Sequence, residues 1–390
     1  MDNWAIRGGN GAAGSLTVAA SRETLATVFD RPAGGAASAE DDVQILLKIG
    51  LRNRWYALCP SHFVRDRPVS LFRLGLKLVL WRESSGVMHV QEDHCPHRGA
   101  PLSLARHLGD RLACVYHGVQ IGGDGTVLSV PGSAGCKLEG QHAVPTYPSQ
   151  EVNGAIFAWF GDALHQAPAP LTLPPQLASD EYERFLCYTE WRGDYRYGID
   201  NNLDPMHGTF LHRQSHSMAE GDLEAKFRVR KTGTGFVFEK VTQRDVNFDW
   251  SEWCDTHICY ARLEIPYPKT GGPGGNFGII FMGTPIGEGR FANFFWRNRR
   301  VQGWQRHVWR FLYRNRLEAR HWAVLEQDRA LMEAIEPDAR EREFLYDHDT
   351  GVAWVRRWMR SEAEAQLAAL DAAGLPRPWQ QSSQPQPIQD

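Results

Sequence analysis

Two pairs of residues in the first third of the chain have the types and spacing of a metal centre. Cys95 and His97 are separated by one residue, Cys114 and His117 by two, and sixteen residues lie between the pairs. A [2Fe-2S] centre with thiolates on one iron and imidazoles on the other needs one Cys and one His from each of two hairpins. The spacing supplies that set. Gly99, Pro101 and Gly118 permit tight turns beside the ligands, which would leave backbone N–H groups free to point at sulfur. A structural zinc site in a binding module also accepts two thiolates and two imidazoles, although zinc more commonly shows C-x2-C pairing.

A second constellation lies about ninety residues on, as Asp204-x2-His207-x4-His212. Asp204 and His207, three apart, would share one face of a helix. His212 would sit about 140° further round an ideal helix, so both imidazoles reach one metal only if the helix is broken, and Pro205 and Gly208 favour a break. Two imidazoles and one carboxylate leave coordination positions open on Fe(II) for O2 chemistry. The carboxylate is sought in the stripe Trp322, Leu325, Asp328, Met332, Ile335, where Asp328 interrupts an apolar helical face. A carboxylate buried there is costly unless a cation meets it. Asp328 is the expected third ligand, with Glu326 and Glu333 as alternatives. The plain alternative for 204–212 is a capped loop with two satisfied histidines.

The elements that must hold these residues change character along the chain. Residues 54–59, 71–81, 87–92, 112–121 and 155–160 are short β-prone runs bounded by Gly, Pro, Ser or Asp. Residues 166–175, rich in Pro and Ala, read as a linker. Strands are expected again at 227–246, turning at 232–235, and at 261–265, 277–281 and 291–297, followed by helical spacing from 302 to about 370. The fold class is therefore α+β. The expected organisation is a flexible leader over 1–45 with one short helix, an all-β cluster domain over 46–165, an iron-binding domain over 166–375, and a disordered tail over 376–390.

With 390 residues, 42% hydrophobic and 23% charged, the chain is long enough for two domains with sizeable cores. No apolar run approaches the ~18 residues of a membrane span. The net charge of -3 gives no pull toward nucleic acid. Seven cysteines, an odd number thinly spread, read as reduced thiols. With no secretory signal in the first residues, the expected location is cytoplasmic.

Cys95, His97, Cys114 and His117, then Asn201-x2-Asp204-x2-His207-x4-His212, then Glu326-Gln327-Asp328 together resemble the catalytic α subunit of the Rieske non-heme iron oxygenases, the aromatic-ring-hydroxylating family. The resemblance spans roughly residues 50–345 and is strongest to the single-subunit phthalate dioxygenase-like and N- or O-dealkylase branch. It implies a Rieske domain joined to a helix-grip catalytic domain, an antiparallel sheet with a long C-terminal helix. It also implies a head-to-tail homotrimer in which electrons pass from His117 of the partner subunit through Asp204 to His207. The activity implied is O2-dependent dihydroxylation, monohydroxylation or oxidative dealkylation of a small aromatic or heterocyclic compound. The electrons would come from NAD(P)H through a reductase or ferredoxin, since no nicotinamide fingerprint is present: residues 271–275 do not fit G-x-G-x-x-G. Residue 200 is Asp where Glu is more usual in the family. A Rieske-type electron carrier without catalysis of its own is the alternative.

Two weaker features complete the reading. Residues 297–320 hold eight arginines and one glutamate among Trp304, Trp309, Phe311 and Tyr313, a surface that could dock an acidic electron donor or be simply a solvated helix face. Arg192 and Arg196, just before the iron motif, could pair with a substrate carboxylate.

Overall fold

Strands whose every residue is apolar need cover on both faces, and the computed structural model of the chain shows what provides it. The structure describes residues 38–214, 221–246, 248–267, 275–287 and 289–381. Most of the expected leader, the Gly-rich segment at 268–274 and the last nine residues lie outside this set.

The cluster domain is built from three small antiparallel sheets. β1 (Arg54–Pro60) pairs with β10 (Ala155–Phe160), which pairs with β9 (Ser149–Val152). β2 (Val69–Arg73), β3 (Leu76–Arg82) and β4 (Met88–Glu92) form the second sheet. β5 (Arg106–His107), β6 (Arg111–Ala113), β7 (Gln120–Gly122) and β8 (Val127–Ser129) form the third. The run 71–81, expected as one strand, is a hairpin whose turn, Leu74-Gly75, takes positive φ at both residues (+54° and +74°). Glycine is the natural occupant there, and the leucine before it concealed the turn.

The second domain carries one seven-stranded antiparallel sheet in the order β11-β17-β16-β15-β14-β13-β12. Its strands are β11 (Tyr182–Arg192), β12 (Phe227–Lys231), β13 (Gly235–Lys240), β14 (Trp250–Asp255), β15 (Cys259–Tyr267), β16 (Gly275–Gly287) and β17 (Arg290–Arg300). β11 and β14 had no counterpart among the expected strands. Their polar and charged residues hide the alternation until the sheet covers them.

Strand alternation explains how the layers stack. In β17, Ala292, Phe294 and Trp296 face a core shared with Trp55, Ala57, Phe157 and Trp159 of the cluster domain, while Phe291 and Phe295 face the helices. In β1 and β10 the alternate residues Tyr56, Leu58, Ile156, Ala158 and Phe160 face a further core with Leu78 and Leu80. In β3 the remaining set, Val79 and Trp81, turns to the core that holds Cys95 and Cys114. Each domain thus lends one sheet face to the other. Arg54 reinforces the junction, with Asp255 at 2.7 Å and Glu362 at 2.8 Å.

The helices are α1 (Ala39–Ile49), α2 (Pro175–Ala178), α3 (Tyr195–Asn202), α4 (His207–Leu211), α5 (Trp304–Leu312), α6 (Glu318–Met332), α7 (Ala339–Arg342), α8 (Thr350–Ala372) and α9 (Pro378–Gln381). A π-helical turn, Tyr313–Leu317, joins α5 to α6. α8 is the long C-terminal helix expected, and it grips the sheet through Trp354 on Phe236 and Trp358 on Trp253.

Two boundaries differ from expectation. Residues 39–45 belong to α1, which is started by a Ser38–Asp41 capping box and buries Val43, Leu46 and Leu47 in the core of the second domain. At the other end, Arg377 is tied to Asp42 at 2.8 Å and Asp371 at 2.6 Å, so the first part of the expected tail is packed. No helix among the described residues is long and apolar enough to cross a membrane.

Candidate metal centres

The two Cys/His loops share one backbone template. In the first, Cys95 N–H donates to the Ala100 carbonyl and Gly99 N–H to the Cys95 carbonyl; in the second, Cys114 N–H donates to Val119 and Gly118 N–H to Cys114. Both glycines sit at positive φ, +71° and +74°, where another residue would be strained. Asp93 anchors the first loop from two residues away. Its buried carboxylate accepts from Ser70 Oγ and from the N–H and Oγ of Ser103.

Cys95 and Cys114 are buried, whereas His97 and His117 are exposed with ring centroids 4.6 Å apart. Burial pushes the Cys95 thiol up to about 11; the backbone N–H groups of His97 and Arg98 pull against it, and neighbouring Cys114 adds to it. Two thiols held together in an apolar core resist ionisation unless a cation joins them, and a coordinated thiol is deprotonated. Backbone N–H groups aimed at sulfur, two thiols inside and two imidazoles at the rim are a donor set that fits a [2Fe-2S] group.

The second site forms where a broken helix meets α6. α3 ends at Asn202, and Asp204 opens a turn in which its Oδ1 accepts the Met206 N–H at 2.8 Å. α4 then starts at His207, and His212 follows its last residue. The break lies where Pro205 favoured it, but Asp204 is in the turn and not on a shared helical face with His207. The two imidazole centroids are 5.1 Å apart, and one ligand atom from each of His207, His212 and Asp328 lies within 4.8 Å of the others. Asp328 is on the buried stripe of α6 with Leu325 and Met332. Glu326 is half exposed and bound to Arg329, and Glu333 takes the Arg192 N–H, so neither alternative reaches the histidines.

The supporting bonds fix which nitrogens are free. His207 Nδ1 donates to the backbone carbonyl of Asp204 at 2.5 Å, and His212 Nδ1 donates to Gln327 Oε1 at 2.8 Å. Since carbonyl oxygens only accept, both Nδ1 atoms carry a proton, which leaves the Nε2 lone pair of each neutral ring free for a metal. Those Nε2 atoms lie 3.7 and 3.1 Å from Asp328 Oδ1. That oxygen is buried, and no donor meets it with hydrogen-bond geometry. Burial opposes charging of His212, but Asp328 and Gln327 outweigh it and raise its pKa. A buried orphan oxygen facing two imidazole lone pairs is a donor set that fits a divalent iron.

Gln327 was not assigned a role from sequence, and only its place beside Asp328 hinted at one. Supporting groups of this kind typically cost 10–100-fold in metal affinity when removed, so Gln327→Leu is expected to release mononuclear iron to a chelator about that much more readily. Chelator competition with the cluster's absorbance as internal control reads this directly. Phe248, whose ring lies 5.8 Å from that of His207, is also contributed by tertiary contact alone. The carboxylate of Asp204 is 3.9 Å from His207 Nδ1, so the carbonyl, not the carboxylate, orients that imidazole.

The arginines considered for substrate are committed elsewhere. Arg196 forks onto Asp194, and Arg192 pairs with Glu333 at 3.4 Å. In the basic segment, Arg306 and Arg310 both engage Glu183, while Trp304, Val308 and Phe311 stay exposed.

The profile of the Rieske [2Fe-2S] domain matches residues 54–148, and that of the vanillate O-demethylase oxygenase C-terminal domain matches residues 191–365. The chain belongs to the Rieske oxygenase family. The four Cys/His residues fall in the first span and the His207, His212, Asp328 group in the second. A vanillate O-demethylase oxygenase subunit of Pseudomonas sp. (strain HR199 / DSM 7063) is 33% identical over 182 residues, 47% of this chain and 50% of the relative. The oxygenase component of chloroacetanilide N-alkylformylase of Rhizorhabdus wittichii is 37% identical over 172 residues, 42% and 47% of the two chains. The Rieske oxygenase chain thus spans about half the length of these relatives in the matched region. The terminal oxygenase of carbazole 1,9a-dioxygenase from Nocardioides aromaticivorans IC177 shares the fold, with a TM-score of 0.66 at 20% identity over 84% of this chain and 98% of that one.

Proposed function

We propose that this Rieske oxygenase chain is the terminal component of a multicomponent system using O2 and electrons from NAD(P)H. A separate reductase or ferredoxin would deliver those electrons. The reaction would be hydroxylation or oxidative dealkylation of a small aromatic or heterocyclic compound. One observation carries the reading: the buried, undonated Asp328 Oδ1 facing the His207 and His212 lone pairs, in the same chain as the two cluster loops. An electron carrier alone would have no use for that second cage. Held by Cys95, His97, Cys114 and His117, a [2Fe-2S] cluster would supply single electrons, and iron held by His207, His212 and Asp328 would supply the O2 chemistry. The names of the relatives, a vanillate O-demethylase and a chloroacetanilide N-alkylformylase, favour dealkylation of an aromatic ether or amide.

The chain's own residues prepare both sites. Gln327 and the Asp204 carbonyl hold the imidazole protons away from the metal position, and Phe248 screens one imidazole from water. The carboxylate of Asp204 keeps lone pairs available and 29% exposure, which suits it to accept an N–H bond from the partner subunit's His117. Head-to-tail assembly into a homotrimer has support in two different exposed apolar patches. Val115 and Tyr116 are exposed just before His117, with the Tyr116 ring 4.0 Å from that imidazole, while Phe210, Phe344, Leu345 and Tyr346 are the exposed apolar residues of the 204–212 and 343–346 segments. Contact between two dissimilar patches makes a heterologous interface, and such interfaces form rings when the rotation between subunits closes. An oxygenase–ferredoxin complex of carbazole 1,9a-dioxygenase, alike in fold with a TM-score of 0.67, supports a protein electron donor. A cytoplasmic location agrees with seven cysteines none of which is paired in a disulfide.

Iron analysis with EPR, followed by O2 uptake with a reductase and a panel of aromatic ethers, amides and acids, tests the reading. About three irons per chain, a Rieske-type signal and substrate-dependent O2 uptake are expected. Two irons per chain with no uptake would leave the electron-carrier alternative, and a colourless protein the zinc alternative.

A further inference from the structure

A buried lysine without a hydrogen-bond acceptor ends the strand paired with the segment that carries Phe248, the residue whose ring lies against His207. Lys240 is the last residue of β13 and is fully buried, yet its Nζ has no hydrogen-bond partner. The nearest carboxylate oxygen, Asp249 Oδ1, is 3.9 Å away, and the Asp249 carboxylate already accepts from Gln243 Nε2 and the Val246 N–H. On the neighbouring strand the hydroxyl of Ser251 is likewise buried and unpartnered.

Strand register puts these two groups together. Phe238 is opposite Ser251, and Lys240 N–H donates to the Asp249 carbonyl, so Lys240 and Ser251 are diagonal cross-strand neighbours. Alternation places both on the face that carries Phe236 and Phe238, the face packed against Ile199 and Leu203 at the end of α3, Leu325 of α6 and Val355 of α8. Phe248, next to Asp249, lies against the ring of His207. Two donors, one cationic and one neutral, therefore stand on the metal side of the sheet with nothing to donate to. Leaving such groups buried is expensive, and an anion reaching both would remove the cost.

We propose that Lys240 and Ser251 are the binding point for an anionic substituent, a carboxylate or sulfonate, on the aromatic substrate of the His207–His212–Asp328 centre. This deepens the oxygenase reading and rests on it. The ammonium donates to one oxygen of the anion and the hydroxyl to another, as charge-assisted bonds that hold the ring at one edge. Anchoring that edge decides which substituent of the ring faces the histidines, and hence which bond is oxidised.

Calorimetric titration of the intact, iron-loaded protein with benzoate, toluene-4-sulfonate and neutral benzamide tests this without turnover. Wild type is expected to bind at least one of the anions about tenfold or more tightly than benzamide, a margin set by one charge-assisted bond. Lys240→Met should erase that margin while leaving benzamide unaffected, and Ser251→Ala should reduce it. Asp249→Asn combined with Lys240→Met avoids stranding a buried carboxylate if the single variant does not fold. Equal affinity of wild type for benzamide and both anions, no anion binding at millimolar concentration, or an undiminished margin in Lys240→Met would each overturn the proposal. The iron content of the same sample separates the two questions: a protein without mononuclear iron refutes the oxygenase reading, whereas a fully loaded one indifferent to anions refutes only this subsite.

Discussion

Asp328→Ala is expected to abolish retention of the mononuclear iron and, with it, turnover, while leaving the Rieske-type spectrum intact. Of the three candidate ligands, His207 and His212 would each offer a nitrogen lone pair, and the lost group is the one carboxylate among them. Removing a mere supporting group from a metal site costs up to about 100-fold in affinity, so removing the charged ligand itself should cost more than that. The cluster lies in a separate core built around Cys95 and Cys114, which makes no use of α6. Iron per chain should therefore fall from about three to about two. Glu326→Ala is the matched control: its half-exposed ion pair with Arg329 is worth ~1 kcal/mol at most, and iron should stay. Full iron retention in Asp328→Ala would show that the carboxylate is no ligand.

Asp204→Asn should behave in the opposite way, keeping both metals while turnover slows. Three bonds argue for retention. The bond that orients His207 comes from the Asp204 backbone, the one that orients His212 comes from Gln327, and an asparagine oxygen can still accept the Met206 N–H. What asparagine removes is the negative charge that would accept an imidazole N–H from the neighbouring subunit. A hydrogen bond to a charged group is worth about 1.5–3 kcal/mol and a neutral one about 0.5–1.5, so the exchange costs about 1–1.5 kcal/mol, or roughly 5- to 10-fold in the rate that depends on it. Rapid-mixing measurement of cluster reoxidation in the presence of O2 and substrate isolates that step. Reoxidation at the wild-type rate would dispose of the bridging role, and loss of mononuclear iron would recast Asp204 as a structural support.

How far each feature could be read in advance follows from how local its causes are. The cluster loops were legible because each closes on itself within five or six residues, with its own Cys, His and glycine. The helix break before His207 was legible because Pro205 sits in it. The hairpin at Leu74-Gly75 was not, since a leucine at positive φ carries no compositional mark. β11 and β14 escaped because they combine charged residues with tryptophans that only the assembled sheet separates onto two faces.

The cations show the limit most plainly. Arg192 and Arg196 stand next to the iron motif in sequence and are spent on Glu333 and Asp194, whereas Lys240 stands some thirty residues away and reaches the neighbourhood of His207 through strand pairing. Proximity along the chain says little about which side chain is left without a hydrogen-bond acceptor.

The candidate ligand set was thus legible in the amino-acid order alone, because donor type and short spacing are local properties, and helical periodicity set Asp328 apart from its neighbouring glutamates. The meeting of Asp328 with histidines more than a hundred residues earlier, the tautomers set by Gln327 and the Asp204 carbonyl, and the stranded donors of Lys240 and Ser251 were decided only by packing. They depend on how a sheet and its helices close over one another, and that closure sums many weak contacts, none of which is written in any one stretch of the chain.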